Sequence, residues 1–153
     1  MRFYKIKSYA KINISLGVLG KLKSKLHKIE SLFSFVNLYD EIFIKKIKDK
    51  NHKIIFYGKF SKGILKNNTI SNLLKIIEKK LSGQKYLIKI NKKIPSKSGM
   101  GGGSMNASSL LKFLIKTQKL NIILKEIINI SSKIGSDVIL GLQKKTSILY
   151  GDR

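Results

Sequence analysis

The chain has 153 residues of which 42% are hydrophobic, enough for one buried core and too apolar for a disordered tail. It has no cysteine, which excludes a disulfide scaffold, a thiol nucleophile and a cysteine metal site, and no apolar run reaches the ~18 residues of a membrane span. Its 32 Lys and Arg against 8 Asp and Glu give a net charge of +24, which taken alone points to a nucleic-acid partner.

Residues 1–19 read as strand, with Ile12, Ile14, Leu16 and Val18 alternating against Asn13, Ser15 and Gly17 in the period of a half-buried element. A polar stretch over 20–25 follows. Leu32, Phe33, Phe35 and Val36 suit a strand within 27–38, and the β-branched and aromatic segments 41–47 and 53–57 read as a strand pair. The period changes at 69–81, where Ile70, Leu73, Leu74, Ile77 and Leu81 form a helical stripe behind Asn68 or Thr69 as N-cap. Residues 85–91 return to strand. A helix carrying Ala107, Leu110, Leu111 and Leu114 follows a glycine-rich loop, and a second stripe through Ile123, Leu124, Ile127 and Ile128 ends near Gly135. Short strands at 138–142 and 146–150 close the chain, so the predicted class is α+β.

Only Arg2 and Arg153 are arginines, and 30 Lys with 25 Ile fill 55 positions, the skew an A/T-rich coding sequence produces. The lysines are dispersed, singly or in pairs such as Lys45-Lys46 and Lys92-Lys93, and arginine, the preferred reader of guanine edges, is nearly absent. Compositional drift therefore explains the charge without a polyanion.

The chemistry concentrates in Pro95-Ser96-Lys97-Ser98-Gly99-Met100-Gly101-Gly102-Gly103-Ser104-Met105, between a strand and a helix. Glycines let backbone N–H groups approach an anion, and a helix N-terminus adds unpaired donors and the positive end of its dipole. Together they make a phosphate cradle. The loop is neither a Walker loop nor a dinucleotide fingerprint, and a flexible turn with a good N-cap is the plain alternative. Its placement, opened by Pro95 and closed by a well-patterned helix, favours the cradle.

The run Pro95-x-x-Ser98-Gly99-Met100-Gly101-Gly102-Gly103-Ser104-x-Asn106-Ala107 resembles the ATP-binding loop of the GHMP small-molecule kinases. Three further blocks agree in order: Ala10-Lys11-Ile12-Asn13-Ile14-Ser15-Leu16, then His27-Lys28-Ile29-Glu30-Ser31-Leu32-Phe33 with Asp40 after it, then Gly135-Ser136-Asp137-Val138. The triple glycine and the His27 block resemble the branch that acts on a cytidyl-diphosphate-linked methylerythritol in the non-mevalonate isoprenoid pathway. The resemblance implies an α+β N-terminal domain related in fold to the second domain of ribosomal protein S5. It implies ATP and magnesium, transfer of phosphate to the 2-hydroxyl of that substrate, Asp137 and Lys11 as catalytic residues, and residues 95–105 as the ATP-binding set. Asn13 and His27 match substrate-contacting positions, the histidine toward the cytosine ring.

The sequence departs from the family where Lys25-Leu26 replace Gly-Tyr, where Lys97 and Met105 replace small residues, and where Ile139 replaces a proline. Family members are also longer, so residues 1–153 read as an N-terminal ATP-binding domain whose C-terminal partner is absent, with part of an apolar face left exposed. No specific nucleic acid and no membrane are expected, and the expected compartment is cytoplasmic. Taken singly, Asp137 would pass for a turn residue, Lys11 for one lysine among 30, and His27 and His52 for ordinary histidines. The alternatives are another kinase of the superfamily and, from a different class, a non-catalytic basic RNA- or ribosome-associated protein.

Overall fold

Alternating apolar residues at the start of the chain fold into one long antiparallel hairpin, β1 (Tyr4–Lys21) with β2 (His27–Ile47). The computed structural model describes residues 2–21, 27–118, 120–143 and 145–152. Segments 27–38 and 41–47, separate in the sequence reading, belong to the single strand β2. It is the spine of the sheet. β1 runs along one edge of it, while β4 (Lys85–Asn91) pairs with the later half of the other edge and β5 (Ser147–Asp152) with the earlier half.

β3 (Lys53–Tyr57) does not pair with 41–47 as expected. It lies at the outer edge, parallel to β4, which separates it from β2. The reason is the intervening helix α1 (Thr69–Ile77): a parallel neighbour needs a crossover long enough to return the chain to the same end of the sheet. The Asn68 carboxamide accepts the N–H groups of Ile70 and Ser71 at 3.0 and 3.1 Å and starts α1. A 3-10 turn at Glu78–Leu81 ends it, with Ser82 and Gly83 in the left-handed region.

The helices α1, α2 (Gly102–Gln118) and α3 (Leu124–Ile134) enclose the core against the sheet. Ile42 and Ile44 of β2, Ile88 and Ile90 of β4, Leu73, Leu74 and Ile77 of α1 and Leu110, Leu111 and Leu114 of α2 are all buried in it. Each such side chain contributes about 1.5–3 kcal/mol by leaving water. Segment 138–142 was expected as a strand and is a helix, α4 (Val138–Gln143). A short β-branched run has no period that separates a strand from a buried helical turn, and here Val138 and Gly141, three apart, face α2.

The remaining face of β1, β2 and β4 gathers lysines over aromatic rings, with Lys7 Nζ 4.4 Å from the Tyr39 centroid and Lys5 Nζ 5.4 Å from that of Phe43. The half-burial expected along β1 holds at Ile12 and fails beyond it: Ile14, Leu16 and Val18 are more than half exposed, as are Ile148 and Tyr150 on β5. Among the described residues no helix is long and apolar enough to cross a membrane.

Candidate active site

Lys11 reaches the site through an irregularity in β1. The register with β2 shifts between Tyr9 and Lys11, and again between Asn13 and Ser15, the kind of bulge that re-aims a side chain. The Lys11 N–H donates to the Met100 carbonyl at 3.0 Å, which ties β1 to the glycine loop. Its ammonium donates to Asn13 Oδ1 at 2.9 Å and lies 3.3 Å from Asp137 Oδ2, with the lysine side chain 4% exposed and the aspartate 20%.

Asp137 arrives from the other end of the chain. α3 ends at Gly135, whose N–H bonds the Ser131 carbonyl, and the chain turns through Ser136 and Asp137 into α4. A side-chain carbon at position 135 would stand 3.3 Å from Ser104 Oγ, so the corner rests directly on the first turn of α2. That contact brings the carboxylate beside the cradle.

The glycine loop is shaped as the sequence predicts, except that α2 starts at Gly102 and takes Gly102 and Gly103 into its first turn. Ser98 Oγ donates to the Pro95 carbonyl, and Met105 N–H closes the first helical bond onto Gly101. Gly101 has φ +65°, which glycine adopts without strain, and a side-chain carbon there would sit 3.6 Å from Lys11 Cε. Lys97, with φ +59°, holds the same conformation at the cost a non-glycine residue carries.

Two concavities meet at this point. A cleft of about 550 Å³ is lined by Pro95, Ser96, Lys97, Ser98, Gly99, Gly101, Gly102, Gly103, Ser104 and Asn106 on one side. On the other side stand Phe56, Ile64, Leu65, Asn67, Asn68 and Thr69. Its volume is in the ~300–1,000 Å³ range of ligand sites. Asn106 is buried with Oδ1 lacking a hydrogen-bond partner. A second cavity of about 170 Å³ is lined by Lys11, Asn13, Leu16, Ser31, Phe33, Leu140 and Leu149. Gly101 borders the first and packs against Lys11, which lines the second, so Lys11 stands between them with Asp137 3.3 Å from its ammonium.

The structure therefore brings together Lys11, Asn13, Asp137 and the loop. Met100 and Met105 do not line the cleft: Met100 offers its carbonyl to Lys11, and Met105 is buried against Gly101 and Gly141. His27 opens β2 opposite Lys21, and its side chain lies outside the described residues, as do Lys25 and Leu26. Sequence reasoning passed over Phe56 near the end of β3 and Ile64, Leu65 and Asn67, which the β3–α1 connection carries to the cleft, and saw Asn68 and Thr69 only as a cap. No local pattern marks a loop that becomes a wall through tertiary packing.

The model of the GHMP kinases N terminal domain matches residues 68–149, more than half of the chain. The chain belongs to the GHMP kinases. It is 56% identical over 154 residues to the 4-diphosphocytidyl-2-C-methyl-D-erythritol kinase of Pelagibacter ubique, covering 99% of this chain and 54% of that protein. It is 35% identical to the kinase of the same name from Thermotoga maritima, covering 94% of this chain and 51% of the relative. The chain thus spans about half the length of the curated relatives it matches. A crystal structure of 4-(cytidine 5'-diphospho)-2C-methyl-D-erythritol kinase superposes with a TM-score of 0.78 at 21% identity, over 97% of this chain and 52% of that one. That likeness supports the fold: an α+β GHMP-kinase N-terminal domain.

Proposed function

We propose that this GHMP kinase chain is the N-terminal, ATP-binding portion of an enzyme that phosphorylates the 2-hydroxyl of 4-diphosphocytidyl-2-C-methyl-D-erythritol in the cytoplasm, with no specific nucleic-acid partner. The observation that carries the reading is Lys11, paired with Asp137, between a glycine-lined cleft and a smaller cavity. The names of the relatives at 56% and 35% identity support the substrate.

Phosphoryl transfer is mostly positioning and electrostatics. The N–H groups of the loop and of the first turn of α2 hold the polyphosphate of ATP, while Asn67 and the apolar Phe56, Ile64 and Leu65 offer a surface to its base. Asp137 takes the proton of the acceptor hydroxyl as its oxygen bonds the terminal phosphorus and the bond to the leaving diphosphate breaks. Lys11 keeps a positive charge beside both the carboxylate and the developing negative charge, and Asn13 fixes the direction of its ammonium. His27 and Asn13 are assigned to the substrate.

Among the described residues no cluster of three or more His, Cys, Asp or Glu could hold a metal ion. The donors near the cradle are hard oxygens, which fits magnesium held mainly through phosphate and water, with Ser104 and Asp137 the protein groups that would reach it. When bound, it would neutralise charge on the transferring phosphoryl group.

The exposed Ile14, Leu16 and Val18 beside the smaller cavity support a second domain closing that side. The test is Asp137→Ala in the protein carried through to the length of its relatives. Turnover with ATP and the cytidyl-diphosphate substrate should fall by about 10²–10⁴ with the fold intact. Retained turnover would sink the assignment.

A further inference from the structure

Asp40 is fully buried on β2, and its carboxylate serves no part of the chemistry above. One oxygen accepts two consecutive backbone donors, Lys93 N–H at 2.7 Å and Ile94 N–H at 2.9 Å, and the other pairs with the ammonium of Lys92, itself 4% exposed. These donors belong to the residues between the end of β4 and Pro95, where the sheet ladder has stopped. Without Asp40 the two N–H groups would have no partner in the sheet.

What they hold lies directly beneath the cradle. A side-chain carbon at Gly102 would stand 3.1 Å from Ile94 Cγ2 and 3.4 Å from Lys92 Nζ, so the first residue of α2 packs closely on these two side chains. A lysine ammonium under a helix N-terminus faces the positive end of the dipole, and its buried carboxylate partner is what makes that placement tolerable. Lys92 also lines the cleft. The contacts run from Asp40 to Ile94 and Lys92, then to Gly102, then to the donors at the start of α2.

We propose that Asp40, with Lys92, is a positioning residue that sets the height and direction of the phosphate-binding turn, so that it governs affinity for the polyphosphate and not for the base. This rests on the cleft being an ATP site. The residues proposed for the base, Phe56, Ile64 and Leu65, are not among the partners of the Asp40 carboxylate, which are Lys92, Lys93 and Ile94, so the two halves of a nucleotide should respond separately to substitution of Asp40.

The experiment titrates the protein carried through to the length of its relatives calorimetrically with ATP and, separately, with adenosine. Two charge-balanced double variants are compared. In Asp40→Asn/Lys92→Met the amide oxygen can still accept both backbone N–H groups, and with Lys92 already removed this variant is the reference for both ligands. In Asp40→Leu/Lys92→Met those donors are released, and ATP should bind about tenfold or more weakly while adenosine is unchanged, the scale of one charge-assisted hydrogen bond. Asp40→Ala/Lys92→Met replaces the second variant should the bulkier pair not melt cooperatively. Equal ATP affinity in the two kinds of variant, or parallel losses for ATP and adenosine, would overturn the positioning role. A parent protein of that length that binds neither ligand would instead overturn the ATP site itself.

Discussion

Gly141→Ala tests how Asp137 is carried to the site. Position 141 is in the middle of α4, where α4 crosses α2, and an added methyl carbon would stand 2.7 Å from Ser108 Oγ, 2.8 Å from Ser108 Cβ and 3.0 Å from Met105 Sδ. Ordinary carbon contacts are about 3.5–4.0 Å, so α4 must retreat by roughly 1 Å from a partner that is mid-helix and buried. Overpacking of this kind costs about 1–3 kcal/mol, and replacing glycine by alanine in a helix returns about 1 kcal/mol. The net expectation is a loss of about 1 kcal/mol, seen as a thermal midpoint lowered by about 2–4 °C.

The assay is unfolding followed by circular dichroism at pH 7. Helix propensity alone predicts the opposite sign, a rise of similar size, so the direction decides. Ser108→Gly removes the two closest of these three contacts. The cycle of the two single substitutions and the double should therefore show a coupling of about 1 kcal/mol or more. A raised midpoint, or strict additivity, would refute the close approach of α4 to α2. Asp137 precedes α4, with its carbonyl accepting the Leu140 N–H at 3.2 Å, so the same retreat would draw its carboxylate away from Lys11.

Asn68→Ala should cost about 1 kcal/mol through loss of the cap on α1, read as a lowered melting midpoint. Glu41 is held down to a pKa of about 2, first by its hydrogen bond from Lys5, then by that from Lys93. A carboxylate depressed below its ordinary 4.5 adds stability above that value and loses it as the pH falls toward 2. Both lysines are about half exposed, so the contribution is at most about 1 kcal/mol. The stability difference between the parent and Glu41→Gln should be constant from pH 6 to 8 and vanish near pH 2, a comparison made by urea titration.

The glycine loop and its helix were legible because their information is local: a strand, a proline, four glycines in five positions and a stripe at helical spacing. The pairing of β3 was not, because alternation says that a strand has one buried face and says nothing about which strand lies beside it. Segment 138–142 was misread for a related reason. A five-residue apolar run fits a buried strand and a helical turn equally, and the space left by Gly141 against Ser108 exists only in the folded chain. Asp137 and Lys11 stand 126 positions apart, and their proximity rests on a bulge in β1 and on the contact between Gly135 and Ser104. Block resemblance named them; no residue spacing could have joined them.

The charge that dominates the composition separates in the structure into two populations. Lys5, Lys7, Lys93 and others lie along the sheet with their ammonium groups over aromatic rings or beside Glu41, and substitution of any one would leave an adequately solvated surface. Lys11 and Lys92 are buried, each against one aspartate and each in contact with the glycine turn. An ammonium is taken out of water only at a cost of several kcal/mol, and a fold bears that cost where a fixed partner offsets it. Burial with an aspartate, not lysine abundance, is therefore what marks a functional cation in so basic a chain. Among the described residues Lys11 and Lys92 meet that criterion, and in the function proposed above Lys11 would stand beside the acceptor and Lys92 beneath the phosphate-binding turn.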